Sequence, residues 1–354
     1  MNRPLFDAYP QLADTLPITE LATLPTPLLD AGTLADDHKL ALWLKQDAAT
    51  GETYGGNKVR KLEFLLADAL EQRCTDVITY GAAGSNHALA TSIYARQYGL
   101  RCHAILSHQP ASPKVAKTLR YHLNIGTQMI PADGFPAMQA AAKAAQQRIQ
   151  AEGGSGYEIP FGGSSATGTV GFVNAAFELK AQIDDGLLPA PDLIYVACGT
   201  SGSATGLSLG LRLAGLQTKV VAVQVTPDFL SNADAHAKLF EETNRLLHTL
   251  DPAIPLLDDP LQNIIHRHDQ FGSGYAEATE QGDAAVAKIK NVLGLQLETT
   301  YTGKALAALM DDVAKGAIDG QNVVFWNTYN AQPYPDPRSD DNDIPEELQR
   351  YLSE

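Results

Sequence analysis

Short apolar runs alternate with longer stretches of helical period through most of the chain. Val77-Ile78-Thr79-Tyr80 is β-branched and aromatic and stops at Gly81, which predicts a strand; apolar positions at helical spacing over 86–98 predict a helix after it. The alternation continues with a strand at 102–106, a helix at 114–123, a strand at 127–130 and a long helix at 137–152. Further on, 193–197 and 220–225 are β-branched runs separated by a helical stretch, 203–213. Strands that alternate with helices imply βαβ units. The expected fold is α/β, with open, mostly parallel twisted sheets covered by helices on both faces.

A chain of 354 residues suggests about two domains. Gly55-Gly56 and Gly162-Gly163 bracket a block with its own strand–helix alternation. The expected division is a large domain made of 1–60 and 166–354, and a small inserted domain, 61–165. In 332–354, Pro333, Pro335, Pro337 and Pro345 mix with acidic residues, which predicts a surface tail ending in a short helix, 345–352, with Asp343 near its start. No internal repeat is visible.

The net charge of -15, with no cluster of Lys and Arg, argues against nucleic acid or an anionic membrane surface as partner. No apolar run reaches the ~18 residues of a membrane span, and residues 1–12 lack a secretory pattern. Cys74, Cys102 and Cys198 are irregularly spaced, which fits a reducing cytoplasm. His266-x-His268-Asp269 has no further histidine or cysteine nearby, so these residues are expected to face solvent and no metal is expected. No Gly-x-Ser-x-Gly elbow supports a serine hydrolase.

Three segments carry candidate chemistry. In Gly55-Gly56-Asn57-Lys58-Val59-Arg60-Lys61-Leu62-Glu63-Phe64-Leu65, two glycines release the backbone, and Leu62, Leu65, Leu66 and Leu70 then share a helical face. Lys58 falls near the helix N-terminus, whose positive dipole end disfavours an ammonium, and Lys61 one turn on pushes the same way. A lowered lysine pKa is what imine chemistry with a carbonyl requires. Taken alone, the segment also suits a basic helix start on the surface. Cys198-Gly199-Thr200-Ser201-Gly202-Ser203 leads from a strand into a helix, and its backbone N–H groups and hydroxyls suit a monoester phosphate. It matches neither a Walker loop nor Gly-x-Gly-x-x-Gly, and no arginine or metal is evident beside it. Gly81-Ala82-Ala83-Gly84-Ser85-Asn86-His87-Ala88 also runs from strand into helix. There Asn86 could donate to an oxygen on a bound ring, and Ser85 with the helix-start N–H groups could hold a carboxylate; a helix cap at Ser85 or Asn86 is compatible with both.

Together, Gly-Gly-Asn-Lys-x-Arg-Lys-Leu-Glu-Phe, Gly-Ser-Asn-His-Ala and the Gly-Thr-Ser-Gly-Ser loop resemble the fold-type II (tryptophan synthase β-like) pyridoxal-phosphate enzymes. Within them the pattern is most similar to the D-cysteine desulfhydrase and 1-aminocyclopropane-1-carboxylate deaminase branch, from about Leu24 to Asn327. The resemblance implies a pyridoxal 5'-phosphate cofactor held as a Schiff base by Lys58, its phenolic oxygen near Asn86 and its phosphate on Thr200, Ser201, Gly202 and Ser203. It implies that Ser85, Asn86 and His87 meet the substrate, the carboxylate lying by Ser85 and His87, with Tyr275 and Tyr301 nearby. The deaminase branch has a glutamate facing the pyridine nitrogen where this chain has Thr302, and a leucine where it has Thr328; the desulfhydrase-like branch has threonines. A hydroxyl at that nitrogen makes a weaker electron sink, which favours loss of a good β leaving group over cyclopropane ring opening. Desulfhydrase-like enzymes usually show His-Thr-Gly-Gly where this chain has Asn327-Thr328-Tyr329-Asn330, and the approach to Ser85 through 81–84 is altered too. Both departures lie on the substrate side.

The expected function is therefore α,β-elimination on a small amino acid, giving a 2-oxo acid and ammonia. Lys58, or Ser85 helped by Lys61, would take the α proton, and Tyr275 or Tyr301 would protonate the leaving group. The alternatives are aminocyclopropane-carboxylate deamination, a β-replacement synthase, or a non-enzymatic amino-acid-binding protein on the same fold. A homodimer is expected from the resemblance.

Overall fold

The structure is a computed structural model and describes residues 3–35, 39–335 and 341–352; Pro337 of the proline-rich stretch lies outside them. Its strands are β1 (Leu28–Asp30), β2 (Ala41–Gln46), β3 (Asp76–Ala82), β4 (Arg101–Ser107), β5 (Gln128–Pro131), β6 (Gly156–Ile159), β7 (Leu193–Cys198), β8 (Lys219–Gln224), β9 (Ile264–Arg267) and β10 (Asn322–Asn327). The longer helices are α1 (Lys58–Glu71), α2 (Asn86–Gln97), α3 (Pro113–Asn124), α4 (Phe135–Ala151), α5 (Ala166–Asp184), α6 (Gly202–Leu213), α7 (Ala233–Leu250), α8 (Glu280–Leu293) and α9 (Thr302–Ala314). Contacts divide the chain into two units: Met1–Leu16, Ala22–Lys61 and Ser164–Ala331 form one, and Pro17–Leu21, Leu62–Gly163 and Gln332–Glu354 the other.

The first unit holds a six-stranded sheet in the order β1-β2-β10-β7-β8-β9. Only β1 runs antiparallel to its neighbour; the other pairings are parallel. After their first residue β7, β8 and β10 are buried throughout, as expected for strands covered on both faces. The period of two sorts their side chains. Tyr195, Val221, Val223 and Phe325 pack with Ala285 and Ile289 of α8 and Leu306 and Leu309 of α9. Ile194, Val196, Val220, Ala222, Val324 and Trp326 face Phe172 and Leu179 of α5 and Leu207 and Leu211 of α6. Each fully buried Val, Ile or Leu contributes roughly 1.5–3 kcal/mol. This core fixes the C-terminal ends of β7 and β10, where the candidate loops begin.

The second unit holds a parallel sheet in the order β5-β4-β3-β6. β3 is buried along its whole length. Ile78, Tyr80 and Ile105 face Met138, Ala142, Ala145 and Ile149 of α4. On the opposite side Ala83, Ala88, Ala104, Leu106, Val115 and Leu119 pack against Ile344, Leu348 and Tyr351. The expected surface tail is thus corrected: its short helix, Glu346–Gln349, and the residues flanking it seat Ile344, Leu348 and Tyr351 in this core. Their spacing at 344, 348 and 351 is one helical face, a period obscured by the acidic residues between them. The segment groups with 62–163, where the sequence places it in the large domain.

Candidate active site

Lys58 opens α1 after a bend at Gly56, which has φ of 92°. A Cβ on Gly56 would stand 2.9 Å from the Thr328 carbonyl oxygen, so close backbone approach and the left-handed φ both require glycine. The bend is held from two sides. Gly56 N donates to Asp47 O (2.8 Å) and Asn57 N to Thr328 O (3.2 Å), while Gly55 N donates to Asn330 Oδ1 (2.7 Å). Thr328 and Asn330, in the stretch that departs from the family pattern, thus brace the loop that delivers Lys58. Asn327 Nδ2 donates to Gln46 Oε1 (2.9 Å) between neighbouring strands.

Burial lowers the Lys58 pKa to about 8, and Cys198 opposes that fall only in part. Lys61 is fully buried and lies well below the ordinary lysine value, first through burial and then through the Lys58 ammonium. The expected repulsion between the two lysines is felt at Lys61, and at Lys58 desolvation is the cause. Arg60, between them in sequence, turns into the core. It donates to Asp47 (Nη2–Oδ1, 2.7 Å) and to Glu178 (Nη1–Oε2, 2.9 Å), and Lys45 pairs with Glu178 at 2.5 Å. Trp326 Nε1 donates to Asp47 Oδ2 (2.8 Å) and Asp47, Arg60 and Glu178 all meet Thr26. Two cations and two carboxylates thereby anchor the first turn of α1 to β2, β10 and α5.

Residues 199–201 link β7 to α6, and Gly202 and Ser203 open the helix, so the loop runs from strand into helix as the sequence predicts. Ser201 has φ of 64°, unusual for a residue with a side chain, and its Oγ is buried without a partner at hydrogen-bonding geometry beyond a weak approach to Cys198. A Cβ on Gly202 would stand 2.5 Å from both Lys61 Nζ and Ser164 Oγ, so only glycine leaves this space open. Lys61 Nζ donates to Ser164 Oγ (3.1 Å), which lies 2.7 Å from Thr200 Oγ1, and Asn57 Nδ2 donates to Ser203 Oγ (3.0 Å). A helix N-terminus, hydroxyls at 164, 200, 201 and 203 and the buried Lys61 Nζ as a donor suit a phosphate dianion. To the hydroxyl and N–H donors expected at the loop, the structure adds the Lys61 amine. Lys61 stands one helical turn from Lys58, and that spacing is the signal that could have found it. Ser164 and Asn57 carry no such signal.

Tyr275 and Tyr301 come together, Oη to Oη, at 2.5 Å with their rings edge to face. Burial raises both phenols above their ordinary pKa. The Tyr301 ring lies by the phosphate-type loop, its Cε1 being 3.5 Å from where a Gly199 Cβ would stand. Thr302, fully buried, starts α9 with its hydroxyl 3.1 Å from Glu298 Oε1. That carboxylate also accepts from the N–H groups of Thr300, Tyr301 and Thr302 at 2.8–2.9 Å, closing the helix end. Glu298 was not foreseen, and its residue type at that position carries no signal.

Ser85, Asn86 and His87 belong to the second unit. Ser85 caps α2, its Oγ accepting from Ala88 N (3.2 Å). Asn86 is half-buried at the first helical position, and His87 is buried with Nε2 3.2 Å from Thr79 Oγ1. Gly84 N is held by Gln109 Oε1 (2.9 Å), which shapes the turn before them. In the 266–269 segment His268 and Asp269 are exposed, as expected, and His266 departs from that expectation. His266 is half-buried, stacked on His268 with ring centroids 5.8 Å apart and edge to face with His236 at 4.8 Å. Among the described residues no group of three His, Cys, Asp or Glu side chains could hold a metal, and no helix is long and apolar enough to cross a membrane.

Residues 19–328 match the family model described as pyridoxal-phosphate dependent enzyme. The chain is 34% identical over 315 residues to a D-cysteine desulfhydrase of Klebsiella pneumoniae, covering 88% of this chain and 92% of that protein. It is 32% identical over 324 residues to the bifunctional D-cysteine desulfhydrase/1-aminocyclopropane-1-carboxylate deaminase of Arabidopsis thaliana, with 87% and 77% covered. A crystal structure of an aminocyclopropane-carboxylate (ACC) deaminase homologue superposes with a TM-score of 0.79 at 28% identity, over 93% of this chain and 95% of that one. With a lysine of lowered pKa and a phosphate-shaped loop in one unit, and these matches along most of its length, the chain belongs to the pyridoxal-phosphate-dependent enzymes, in the D-cysteine desulfhydrase and aminocyclopropane-carboxylate deaminase family.

Proposed function

We propose that this lyase catalyses α,β-elimination on a small amino acid, in the manner of a D-cysteine desulfhydrase, releasing a 2-oxo acid, ammonia and the β leaving group. The observation that carries the proposal is Lys58, whose pKa of about 8 leaves a substantial neutral amine at physiological pH. Pyridoxal phosphate, when bound, supplies an electron sink for the substrate Cα. Lys58 Nζ would hold the cofactor aldehyde until the substrate amine takes its place, and the freed Lys58 amine, or Ser85 helped by Lys61, would then take the Cα proton. Thr200, Ser201, Gly202 and Ser203 would hold the phosphate, with Lys61 Nζ as a further hydrogen-bond donor. Asn86 would serve the phenolic oxygen, and Ser85 and His87 the substrate carboxylate.

Tyr275 and Tyr301 have two hydroxyl protons and only one lies between them. The other is free to pass to the departing β group. Thr302 would present the ring nitrogen with a neutral hydroxyl, itself hydrogen-bonded to Glu298, and not with a carboxylate directly, which would favour elimination over ring opening. All three cysteines are free and buried, which supports a reducing cytoplasm. A homodimer is proposed on the family pattern alone.

Lys58→Ala is expected to lose the visible absorbance of the cofactor-bound protein and all 2-oxo acid release from a panel of paired D and L amino acids. Turnover at the wild-type rate in that variant would sink the mechanism. A colourless wild-type protein that gains no band on adding pyridoxal phosphate would sink the cofactor assignment.

A further inference from the structure

Behind the phosphate-type loop lies a buried polar cluster that the reaction does not use. His236, on α7, is completely buried. Its Nε2 lies 3.3 Å from Cys198 Sγ, on the last residue of β7, and its Nδ1 lies 3.0 Å from Thr205 Oγ1, in the first turn of α6. One imidazole thus spans the loop, touching the residue before it and a residue just after it. Ser231 Oγ meets the same sulfur at 3.0 Å, and Thr226 Oγ1 donates to the Gly199 carbonyl at 2.5 Å. The edge of His236 is closed by His266, whose Nε2 is buried with no hydrogen-bond partner. Burial, and then His266, hold His236 neutral, with a pKa near 3. A neutral imidazole has one donor and one acceptor, which suits a bridge between a thiol and a hydroxyl that can each do either.

We infer that His236 is a positioning residue for cofactor phosphate: by tying Cys198 to Thr205 it fixes the spacing of strand end and helix start, and hence the left-handed Ser201 and the open space at Gly202. It rests on the phosphate lying in the 199–203 loop, as proposed above. Ser201 has no glycine freedom of its own, so a conformation that is costly for a side-chain-bearing residue must be imposed by neighbours. Buried hydrogen bonds at both ends of the loop do that, in the way outer partners orient the ligands of a metal.

The test uses apo-enzyme titrated with pyridoxal phosphate and, separately, with pyridoxal, which lacks the phosphate. His236→Ala is expected to weaken pyridoxal phosphate binding about tenfold or more, the size expected when a buried hydrogen-bond partner is removed, while pyridoxal binding stays within about twofold. His236→Gln, which keeps a donor and an acceptor, is expected to recover most of the loss. Thr205→Val is isosteric and carries the same selective expectation should His236→Ala not fold. Equal weakening for both ligands, or no weakening in either variant, overturns the inference and leaves His236 as packing. A wild-type protein that binds both ligands equally removes the phosphate assignment, and the inference with it.

Discussion

Among the residues, Lys58 illustrates how local chemistry is set by burial more than by neighbours. A helix start and a second lysine both disfavour an ammonium, yet desolvation is the cause that lowers Lys58 to about 8. The sign of the consequence is fixed: the neutral amine is the nucleophile, so its fraction rises with pH only up to the pKa. The rate of pyridoxal phosphate capture by apo-enzyme is therefore expected to rise with pH and level off near pH 8, well below the ordinary lysine value of 10.5. Stopped-flow recombination across pH 6–10 measures this, and a rate that keeps climbing past pH 9.5 would remove the claim that Lys58 is desolvated.

At the scale of elements, function depends on how loops are held at strand ends. The 55–57 bend is fixed by Asn330 and by the Thr328 carbonyl at the C-terminal end of β10. Asn330→Ala leaves Gly55 N–H buried without its acceptor, which costs about 1–3 kcal/mol. The expected result is a lower midpoint of urea unfolding together with slower cofactor capture by Lys58. A variant that loses stability but captures cofactor at the wild-type rate would show that Asn330 supports the fold and not the lysine. This explains which parts are legible in sequence. Runs such as 193–197 and 220–225 read as strands because β7 and β8 are buried on both faces and so continuously apolar. The lysine bend and the 199–203 loop are legible because glycine and hydroxyl residues cluster there. Asn330, Glu298 and Ser164 are not: each acts through a hydrogen bond to a distant segment or a backbone N–H, and nothing in residue type marks that. The apolar face at 344, 348 and 351 is present in the sequence but diluted by acidic neighbours.

Across the whole molecule, the first unit is assembled from chain segments far apart in sequence, and buried charge is part of what joins them. Lys45, Asp47 and Arg60 come from the 22–61 segment and Glu178 from 164–331, with Trp326 donating to Asp47. Burial alone would raise the Glu178 carboxyl; Arg60 and then Lys45 outweigh it and hold it at about 2, below the ordinary 4.5. Burial likewise takes Lys45 to about 8 against the pull of Glu178. A carboxylate whose folded pKa is depressed adds stability that is fully present above its unfolded pKa and is lost as pH falls through the folded one. For Glu178 the window runs from about pH 4.5 down to about pH 2. Glu178→Gln removes one of two carboxylates facing two buried cations, and an uncompensated buried charge costs about 3–5 kcal/mol. The variant is expected to unfold at markedly lower urea at pH 7 and to show a flatter decline between pH 4.5 and 2, because the group that titrates there has gone. Urea unfolding at a series of pH values measures both effects. If Glu178→Gln kept its pH 7 stability within about 0.5 kcal/mol and the wild-type acid limb, the pair would be no more than a neutral polar contact, and the two segments would be joined by apolar packing alone.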